Sequence, residues 1–236
     1  MPKAELRLVL AVSLDGRLAP PEGGAAQLGG PGDRRVLEEA LAWADGCLIG
    51  GRTLRLHGCT CLIRDADLLE QRRRQGRTAQ PASVVVSRGG GLEAGFDPQL
   101  RFFRQPLQRL LLQPPPLPLA PPPGFAAVQV LHRWPEALAA LAAAGLPRLV
   151  LLGGAELAGQ LLALGLVDQL QLTLCPRLLG GGHSWLPAGV ALPAHDWQLL
   201  EQRPLLGDEL LLRYGRRALG AGVPEPAGVP VPEPGF

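Results

Sequence analysis

The sequence predicts an α/β domain with a mixed, mostly parallel sheet and helices on both faces. Short, continuously apolar runs alternate with helix-forming stretches along most of the 236 residues, and this alternation is typical of βαβ units. The last two β-rich runs follow each other without a helix between them. We therefore expect an antiparallel strand pair at one end of an otherwise parallel sheet.

The elements follow in order from the apolar runs and from the residues that end them. A strand over residues 5–12 leads to an amphipathic helix over residues 33–45, with Asp33 as its N-cap. A later helix begins with Pro135 in its first turn and stops at Gly145. The remaining strands are predicted at residues 47–51, 82–87, 107–113, 126–131, 149–152, 168–176, 197–205 and 208–215.

Three segments are predicted to lie outside the sheet and the helices. The proline-rich residues 114–123 cannot join a sheet interior, and the basic residues 72–77 are interpreted as a solvated loop that could attract an anionic ligand. Residues 217–236 are rich in proline and glycine and have no core-forming pattern. We therefore predict a disordered tail behind a folded domain of residues 1–216.

Composition indicates a globular protein and argues against several classes of function. The chain is 47% hydrophobic and 19% charged with a formal net charge of +2, which disfavours disorder and a nucleic-acid-binding surface. The first apolar run is too short for a signal peptide or a membrane span, so we expect a cytoplasmic protein. The cysteines lack the usual zinc spacing, and we expect free thiols and no metal.

The stretch LVLLGGAELAG, residues 149–159, places two glycines between a buried strand and a helix. Glycines permit a tight turn, but a glycine pair at a helix N-terminus also lets a phosphate approach bare N–H groups. A second pair at 50–51 and the SLDG turn at 13–16 follow two other strands. Because ligands bind at the carboxyl ends of such strands, this convergence favours phosphate binding by the glycine pair. Neither G-x-G-x-x-G nor G-x-x-x-x-G-K-[ST] occurs, so an ordinary Rossmann or P-loop site is disfavoured.

Four stretches occur in an order that resembles one known family: AVSLDGRLA, DGCLIGGRTL, ASVVVSRGG and LVLLGGAELAGQLLALGLVDQLQLTLCPRLLGGG. Together they resemble the reductase domain of bacterial riboflavin biosynthesis, the RibD C-terminal family, over residues 6–214. The resemblance implies a dihydrofolate-reductase-like fold and an NADPH-dependent reductase. It would convert the ribosyl group of a 5-amino-6-(5-phosphoribosylamino)uracil-type pyrimidine to ribityl. The zinc deaminase motif found in front of many members does not occur, so we expect a stand-alone reductase.

The resemblance also implies which residues form the site. Asp15 would stand beside the reaction centre as the catalytic residue. The residues expected to bind the substrate are Arg17, Gln27 and Arg64. The residues expected to bind NADPH are Ala11, Ser13, Thr53, Ser87, Arg88, Gly153, Gly154, Ala155, Glu156 and Leu157. From the residues alone, Asp15 could equally cap a turn, Thr53 could be a helix N-cap, and Arg64 could be an exposed arginine.

Several positions depart from the family pattern, and they concern the substrate rather than the cofactor. Leu152 stands where members commonly carry glutamate, and His57 with Gly58 replaces an acidic pair. Leu41 stands in place of an arginine late in the first helix, and Leu28 in place of a tryptophan or another large residue. We therefore expect NADPH binding to be kept, while the substrate stays open.

Three functions remain open at this point. The chain reduces the phosphorylated pyrimidine, or it is a diverged paralogue that reduces another, pterin-like heterocycle, or it binds the nucleotide without catalysis. A dihydrofolate-type enzyme needs an acidic residue on the first helix, for which Glu38 and Glu39 are the candidates. The strand at 168–176 and the pair after it would leave an unpaired edge. With the resemblance, that edge predicts a homodimer, and no nucleic acid or membrane is expected as a partner.

Overall fold

The computed structural model describes residues 3–24, 27–87 and 96–217, which fold around one nine-stranded sheet. The strands are β1 (Glu5–Ser13), β2 (Gly46–Gly50), β3 (Ala82–Val86), β4 (Arg109–Gln113), β5 (Ala127–Val130), β6 (Arg148–Leu152), β7 (Gln169–Cys175), β8 (Trp197–Pro204) and β9 (Leu210–Arg216). The helices are α1 (Pro31–Trp43), α2 (Gly51–His57), α3 (Ala66–Arg74), α4 (Trp134–Ala143) and α5 (Ala155–Ala163), with a 3-10 turn at Arg101–Arg104.

The sheet is mixed, as the sequence predicts. Its strand order is β5-β4-β3-β2-β6-β1-β7-β9-β8. Strands β1 to β7 are mutually parallel, with Leu8 of β1 opposite Leu151 of β6. Strand β9 runs antiparallel to β7 and forms an antiparallel pair with β8. All carboxyl ends of β1 to β6 therefore meet at one edge, where ligands bind in sheets of this kind.

Alternate side chains of the strands bury two layers of helices, one on each face. Leu6 and Leu8 of β1 belong to an apolar cluster with the side chains of α4 and α5. Val9, one residue on, packs on the opposite face with α1 and α3. A third cluster joins α2 to the far strands through Leu54 and Phe102. The period of two along β1 thus produces the two buried faces.

Helix α1 begins two residues earlier than predicted, and this changes the role of Asp33. Pro31 occupies the first turn, which suits its fixed φ angle and its missing N–H. Gly30 is the N-cap and offers no side-chain cap. Instead Glu209, from the β8–β9 connection, accepts hydrogen bonds from the backbone N–H groups of Gly30 and Asp33. Asp33 therefore lies inside the first turn, and its prediction as the N-cap was wrong.

The basic residues 72–77 are not a solvated loop, and that interpretation was wrong. Residues up to Arg74 belong to α3, and the Arg72 side chain is 1% exposed. Its Nη1 atom donates to the carbonyl oxygens of Leu41, Ala42 and Ala44 at 3.2, 3.0 and 2.6 Å. A buried cation thus satisfies carbonyl groups at the end of α1 that have no partner within the helix.

Three further observations bear on the class of protein. Within the described residues, no helix has the length and apolarity required to cross a membrane. The same residues contain no group of three or more His, Cys, Asp or Glu side chains arranged for a metal ion. All four cysteines are free thiols. Of the predicted tail, residues 218–236 lie outside the described part of the chain.

Candidate active site

A single large cleft runs along the carboxyl edge of the parallel strands. Its volume is about 1790 Å³, beyond the roughly 300–1,000 Å³ of a pocket for one drug-sized ligand. The ends of β1, β2, β3, β5 and β6 open into it. The strand-end residues that line it are Ala11, Gly50, Val86, Ser87, Leu131, Leu152 and Gly153. The cleft therefore has room for two ligands side by side.

The glycine pair after β6 adopts a backbone that other residues avoid. Gly153 and Gly154 have φ angles of +70° and +83°, so both lie where L side chains are strained. Gly154 is the N-cap of α5 and offers no side-chain cap to the first N–H groups of that helix. The N-terminus of α5 thus faces the cleft, where its partial positive charge favours an anion.

Thr53 of α2 meets this turn from across the cleft. A Cβ atom on Gly154 would lie 3.1 Å from Thr53 Oγ1, and a Cβ on Gly50 would lie 3.8 Å from the same oxygen. One hydroxyl therefore lies between the two glycine pairs. Arg52, beside it, forms an ion pair of 3.3 Å with Glu156, but both side chains are well exposed, and such surface pairs contribute little.

Most of the predicted cofactor residues line the cleft. The residues that do so are Ala11, Thr53, Ser87, Gly153, Gly154, Ala155, Glu156 and Leu157. Ser13 does not: it is fully buried at the end of β1. Arg88 lies outside the described residues. The structure therefore gathers eight of ten predicted positions around the α5 N-terminus.

The structure does not bring Asp15 into the cleft lining. Its carboxylate accepts hydrogen bonds from Ser13 Oγ at 2.5 Å, from Leu179 N at 3.1 Å and from Gly180 N at 2.7 Å. These bonds, that of Ser13 foremost, hold the pKa of Asp15 far below its usual range. The group is therefore ionised and bound to the loop after β7. It has no proton to donate at neutral pH.

Arg17 belongs to the same loop contact rather than to the cleft lining. Its backbone N–H donates to Ser13 Oγ at 2.9 Å, and its Nε lies 3.6 Å from Asp15 Oδ2. Its backbone also pairs with Ser184 in an isolated bridge. The predicted role in substrate binding thus has no support from the position of this side chain.

The other predicted substrate residues, Gln27 and Arg64, line the cleft. The Arg64 backbone N–H donates to Glu38 Oε2 at 2.7 Å. Among the residues that the structure describes, its guanidinium forms no ion pair. An exposed arginine without a carboxylate partner is available for an anionic group of a ligand.

The four departures from the family pattern fall into two groups in space. Leu28, His57 and Leu152 line the cleft, where Leu152 presents apolar surface instead of a carboxylate and Leu28 a smaller side chain than the large residue of the family pattern. Leu41 is fully buried between α1 and the sheet and does not line the cleft. The apolar residue at position 41 thus affects the core rather than the substrate directly.

Asp33 is a cleft residue that the sequence analysis missed as a functional residue. Only two carboxylates, Asp33 and the exposed Glu156, line the cleft within the described part of the chain. A Cβ atom on Gly29 would lie 1.9 Å from Asp33 Oδ2, so glycine at 29 leaves room for this carboxylate. Burial and the nearby Glu209 charge raise the pKa of Asp33, and they outweigh a hydrogen bond with Thr173, which lowers it.

Glu38 and Glu39, the acidic candidates on the first helix, do not line the cleft. Burial alone would raise the pKa of Glu38, but bonds from Arg34 and from the N–H groups of Arg64 and Asp65 lower it instead. Glu39 binds Arg35 and Arg203. The structure therefore corrects that expectation: the acid of α1 that faces the cleft is Asp33.

Comparison with known proteins supports the resemblance and the fold. A model of the RibD C-terminal domain matches residues 4–208. A search of curated proteins found no significant match. A pyrimidine reductase-like protein from Corynebacterium diphtheriae has a TM-score of 0.73 at 21% identity, covering 91% of this chain and 92% of that one.

Two further structures resemble this chain. RibD of Acinetobacter baumannii has a TM-score of 0.75 at 21% identity over 92% of this chain, which spans 59% of that protein. Dihydrofolate reductase of Enterococcus faecalis, complexed with NADP(H), has a TM-score of 0.53 at 16% identity, covering 92% and 98% of the two chains. The predicted family and the dihydrofolate-reductase-like fold are both confirmed.

Proposed function

The chain belongs to the RibD C-terminal domain family, and from this membership we propose that it is an NADPH-dependent reductase of a phosphorylated aminopyrimidine in riboflavin biosynthesis. One observation carries the proposal. Two glycine turns and Thr53 meet at the N-terminus of α5, which has no side-chain cap, and Asp33 and Arg64 line the same cleft. A reductase must bind a dinucleotide and its substrate, here a small anionic heterocycle, next to each other in one cleft.

The residues around α5 fit the cofactor. Gly153 has no atom within 4 Å of the space that its Cβ would occupy, so a pyrophosphate can approach the backbone there. The α5 dipole favours that anion. Thr53 offers its hydroxyl group from the facing wall. Ser87 lies at the end of β3, where we place the adenosine end of the cofactor. NADP(H) bound to a reductase of the same fold is consistent with this arrangement.

The residues around α1 fit a heterocycle that carries a phosphate. Arg64 offers a charged fork to the phosphate, whereas Leu28 and Leu152 exclude water from the ring. Asp33 offers a carboxyl group to ring or exocyclic nitrogen atoms. Because its pKa is raised by burial and by Glu209, it can hold a proton closer to neutral pH than an exposed aspartate.

These roles suggest how the residues assist reduction. When bound, NADPH supplies a hydride to the carbon of a C=N bond. The nitrogen of that bond must then gain a proton, and we assign its delivery to Asp33. The apolar walls keep water out of the reacting region, while Arg64 fixes the substrate by its phosphate. Asp15, together with Ser13 and Arg17, fixes the loop after β7 beside the end of β1. We therefore propose a positioning role for Asp15.

The test is a titration of the purified protein with NADPH and NADH, followed by steady-state turnover. Micromolar binding of NADPH, with oxidation that depends on the phosphoribosylamino-pyrimidine, supports the proposal. Binding without turnover of this substrate or of any pterin contradicts it and indicates a nucleotide-binding protein without catalysis. Failure to bind either nucleotide overturns the cofactor assignment as well.

A second candidate function is the reduction of a pterin-like heterocycle, which Asp33 specifically favours. An acid on the first helix that faces the cleft is the feature that such a substrate requires, and Asp33 meets it where Glu38 and Glu39 do not. Oxidation of NADPH with dihydropterin or dihydrofolate, but not with the phosphorylated pyrimidine, would favour this candidate. Arg64→Met separates the phosphorylated pyrimidine from an uncharged dihydropterin, since only the phosphorylated substrate offers the arginine an anionic group.

We further propose that the protein is a cytoplasmic homodimer that pairs through the face of β7, β9 and β8 opposite α1. Leu199 on edge strand β8 is 46% exposed, and Tyr214 lies opposite it in register. An exposed apolar edge is usually covered. Light scattering should give twice the chain mass for the wild type and half that value for Leu199→Glu. The same mass for Leu119→Glu as for wild type is the control, and a monomeric wild type contradicts the proposal.

A further inference from the structure

A second cavity lies on the α1 face of the sheet, away from the cleft. Its volume is about 320 Å³, and none of its residues is shared with the cleft. Its walls come from β1, β7, β8, β9 and α1. The residues that line it are Arg7, Val36, Glu39, Ala40, Trp43, Gln169, Gln171, Glu201, Arg203, Leu211 and Arg213.

The three arginines of this cavity differ in their ion pairs. Arg203 binds Glu39 with 2.5 Å between Nη2 and Oε2. Arg213 binds Glu201, with 3.1 Å between Nη2 and Oε2. Arg7 forms no ion pair with any residue in the described part of the chain. Arg203 and Arg213 therefore each have a glutamate within ion-pair distance, whereas Glu5 and Glu201 act on Arg7 only from farther away.

Arg7 is also the most deeply buried of the three arginines. Arg7 is 7% exposed, at the centre of the sheet. Its Nη1 donates to Gln171 Oε1 at 3.3 Å, and its Cζ lies 4.0 Å from the ring centroid of Trp43. Its Nε has no acceptor. Burial, with the Arg213 charge, lowers the pKa of Arg7 to about 10, so the side chain remains charged at neutral pH.

A buried guanidinium with one weak hydrogen bond is costly for a protein to keep. It has five N–H donors in a planar fork, and unsatisfied buried donors each carry a free-energy penalty. Gln171 is held in its orientation because its Nε2 donates to the Val36 carbonyl oxygen at 3.1 Å. Its side chain therefore offers Arg7 only the Oε1 atom that already accepts from Nη1. Arg7 thus keeps a buried Nε–H without an acceptor and has no carboxylate of the described residues at ion-pair distance.

We propose that this cavity is a binding site for a small, singly charged carboxylate held by the Arg7 fork. The single charge matches the unpaired arginine, and two carboxylate oxygens match the parallel donors of a guanidinium. The volume suits an acid of a few carbon atoms. Arg203 and Arg213 border the entrance, and Trp43 packs against the guanidinium from the α1 side. The site is independent of the nucleotide cleft and of the reaction proposed for it.

Thermal unfolding with formate, acetate, propionate or chloride at constant ionic strength and pH tests the proposal. At five times its dissociation constant, a bound carboxylate should raise the Tm by roughly 2–4 °C beyond chloride. Arg7→Met should abolish this rise, and it is expected to fold because an apolar side chain can replace a buried ion. Arg74→Met, at an exposed arginine on α3, should keep the rise. An equal rise in Arg7→Met, or none in the wild type, overturns the proposal.

A second measurement does not depend on any variant. A crystal of the wild-type protein soaked in bromide should give an anomalous peak within hydrogen-bond distance of the Arg7 guanidinium, and propionate should displace it. No peak at Arg7 overturns the proposal. A glutamate or aspartate of a neighbouring copy at that place also overturns it, because the acceptor would then be the protein itself.

Discussion

Replacing Gly154 with aspartate should abolish NADPH binding while leaving the protein folded. Gly154 has a φ angle of +83°, and its Cβ would lie 3.1 Å from Thr53 Oγ1. The new carboxylate would stand at the N-terminus of α5, where we propose that the pyrophosphate binds. Gly145, after α4, is a matched control. Its φ angle is +88° and nothing lies within 4 Å of the space for its Cβ.

The two variants share the backbone strain, but only Gly154→Asp places its charge at the cleft and its Cβ close to another side chain, 3.1 Å from Thr53 Oγ1. A side chain at either position strains the backbone by roughly 1–3 kcal/mol, which lowers the Tm by about 2–12 °C in a domain of this size. Only Gly154→Asp adds a charge near the pyrophosphate. Two unit charges 4 Å apart repel by about 4 kcal/mol at an effective dielectric constant of 20. With solvent access we expect roughly 2–4 kcal/mol, a loss of about 30- to 1,000-fold in affinity.

Fluorescence titration with NADPH measures the affinity, and thermal unfolding of the same samples measures the strain. We expect both variants to melt below the wild type, with only Gly154→Asp losing NADPH. If Gly154→Asp binds NADPH within threefold of the wild type, the glycine pair is not the pyrophosphate site. An equal loss of affinity in Gly145→Asp would mean that general destabilisation, not charge at α5, causes the effect.

Three further predictions concern α1 and its neighbours. Burial and the Glu209 charge raise the pKa of Asp33, so the ionised carboxylate lowers the free energy of unfolding. This destabilisation is absent below the unfolded pKa of about 3.9. It develops as the pH rises toward the folded pKa. Asp33→Asn should therefore raise the Tm at pH 7 but not at pH 3, and an unchanged Tm at pH 7 contradicts the burial argument. The same variant should lower turnover at least tenfold if Asp33 delivers the proton. Arg72→Met should lower the free energy of unfolding by roughly 1–3 kcal/mol in urea melts, because it removes the side-chain donor to the Leu41 carbonyl oxygen, while the carbonyl oxygens of Ala42 and Ala44 keep Arg77 as a donor. Exposed Arg73→Met should change it by less than about 0.5 kcal/mol. Glu209→Gln should cost about 1–2 kcal/mol by weakening the cap on α1, with Asp208→Asn as the neighbouring control, and equal melts for these two variants would refute that role.

The strands and the location of the site could be predicted from local pattern. Continuous apolar runs identify β2, β3 and β6, because strands buried on both faces need apolar residues at every position. The glycine pair at 153–154 falls between such a strand and a helix, and parallel strands bring their carboxyl ends to one edge. These are properties of short stretches of chain. They were sufficient to place the α5 turn at the expected ligand-binding edge, whereas Thr53 and Ser87 entered the predicted site through the resemblance to the family.

The short helices α2 and α3 could not be predicted in this way. Helix α2 has seven residues, and helix α3 has nine and ends in three arginines. Such segments have little intrinsic helical stability in water and form because tertiary packing stabilises them. The same limit applies to Arg72, whose burial depends on the carbonyl groups at the end of α1 and not on its own neighbours in sequence.

What the sequence by itself determined was therefore the nine strands, the family and the edge of the sheet where we propose that the ligands bind. The tertiary structure alone decided which charged residues work together. Glu209 accepts a hydrogen bond from the backbone N–H of Asp33, 176 residues away in sequence. Burial and the Glu209 charge raise the pKa of Asp33, and this residue lines the cleft instead of capping the helix. Asp15 is bound to a loop 165 residues away, so its carboxylate is held outside the cleft. Charges act through space and through desolvation, and both depend on distances that only the folded chain defines.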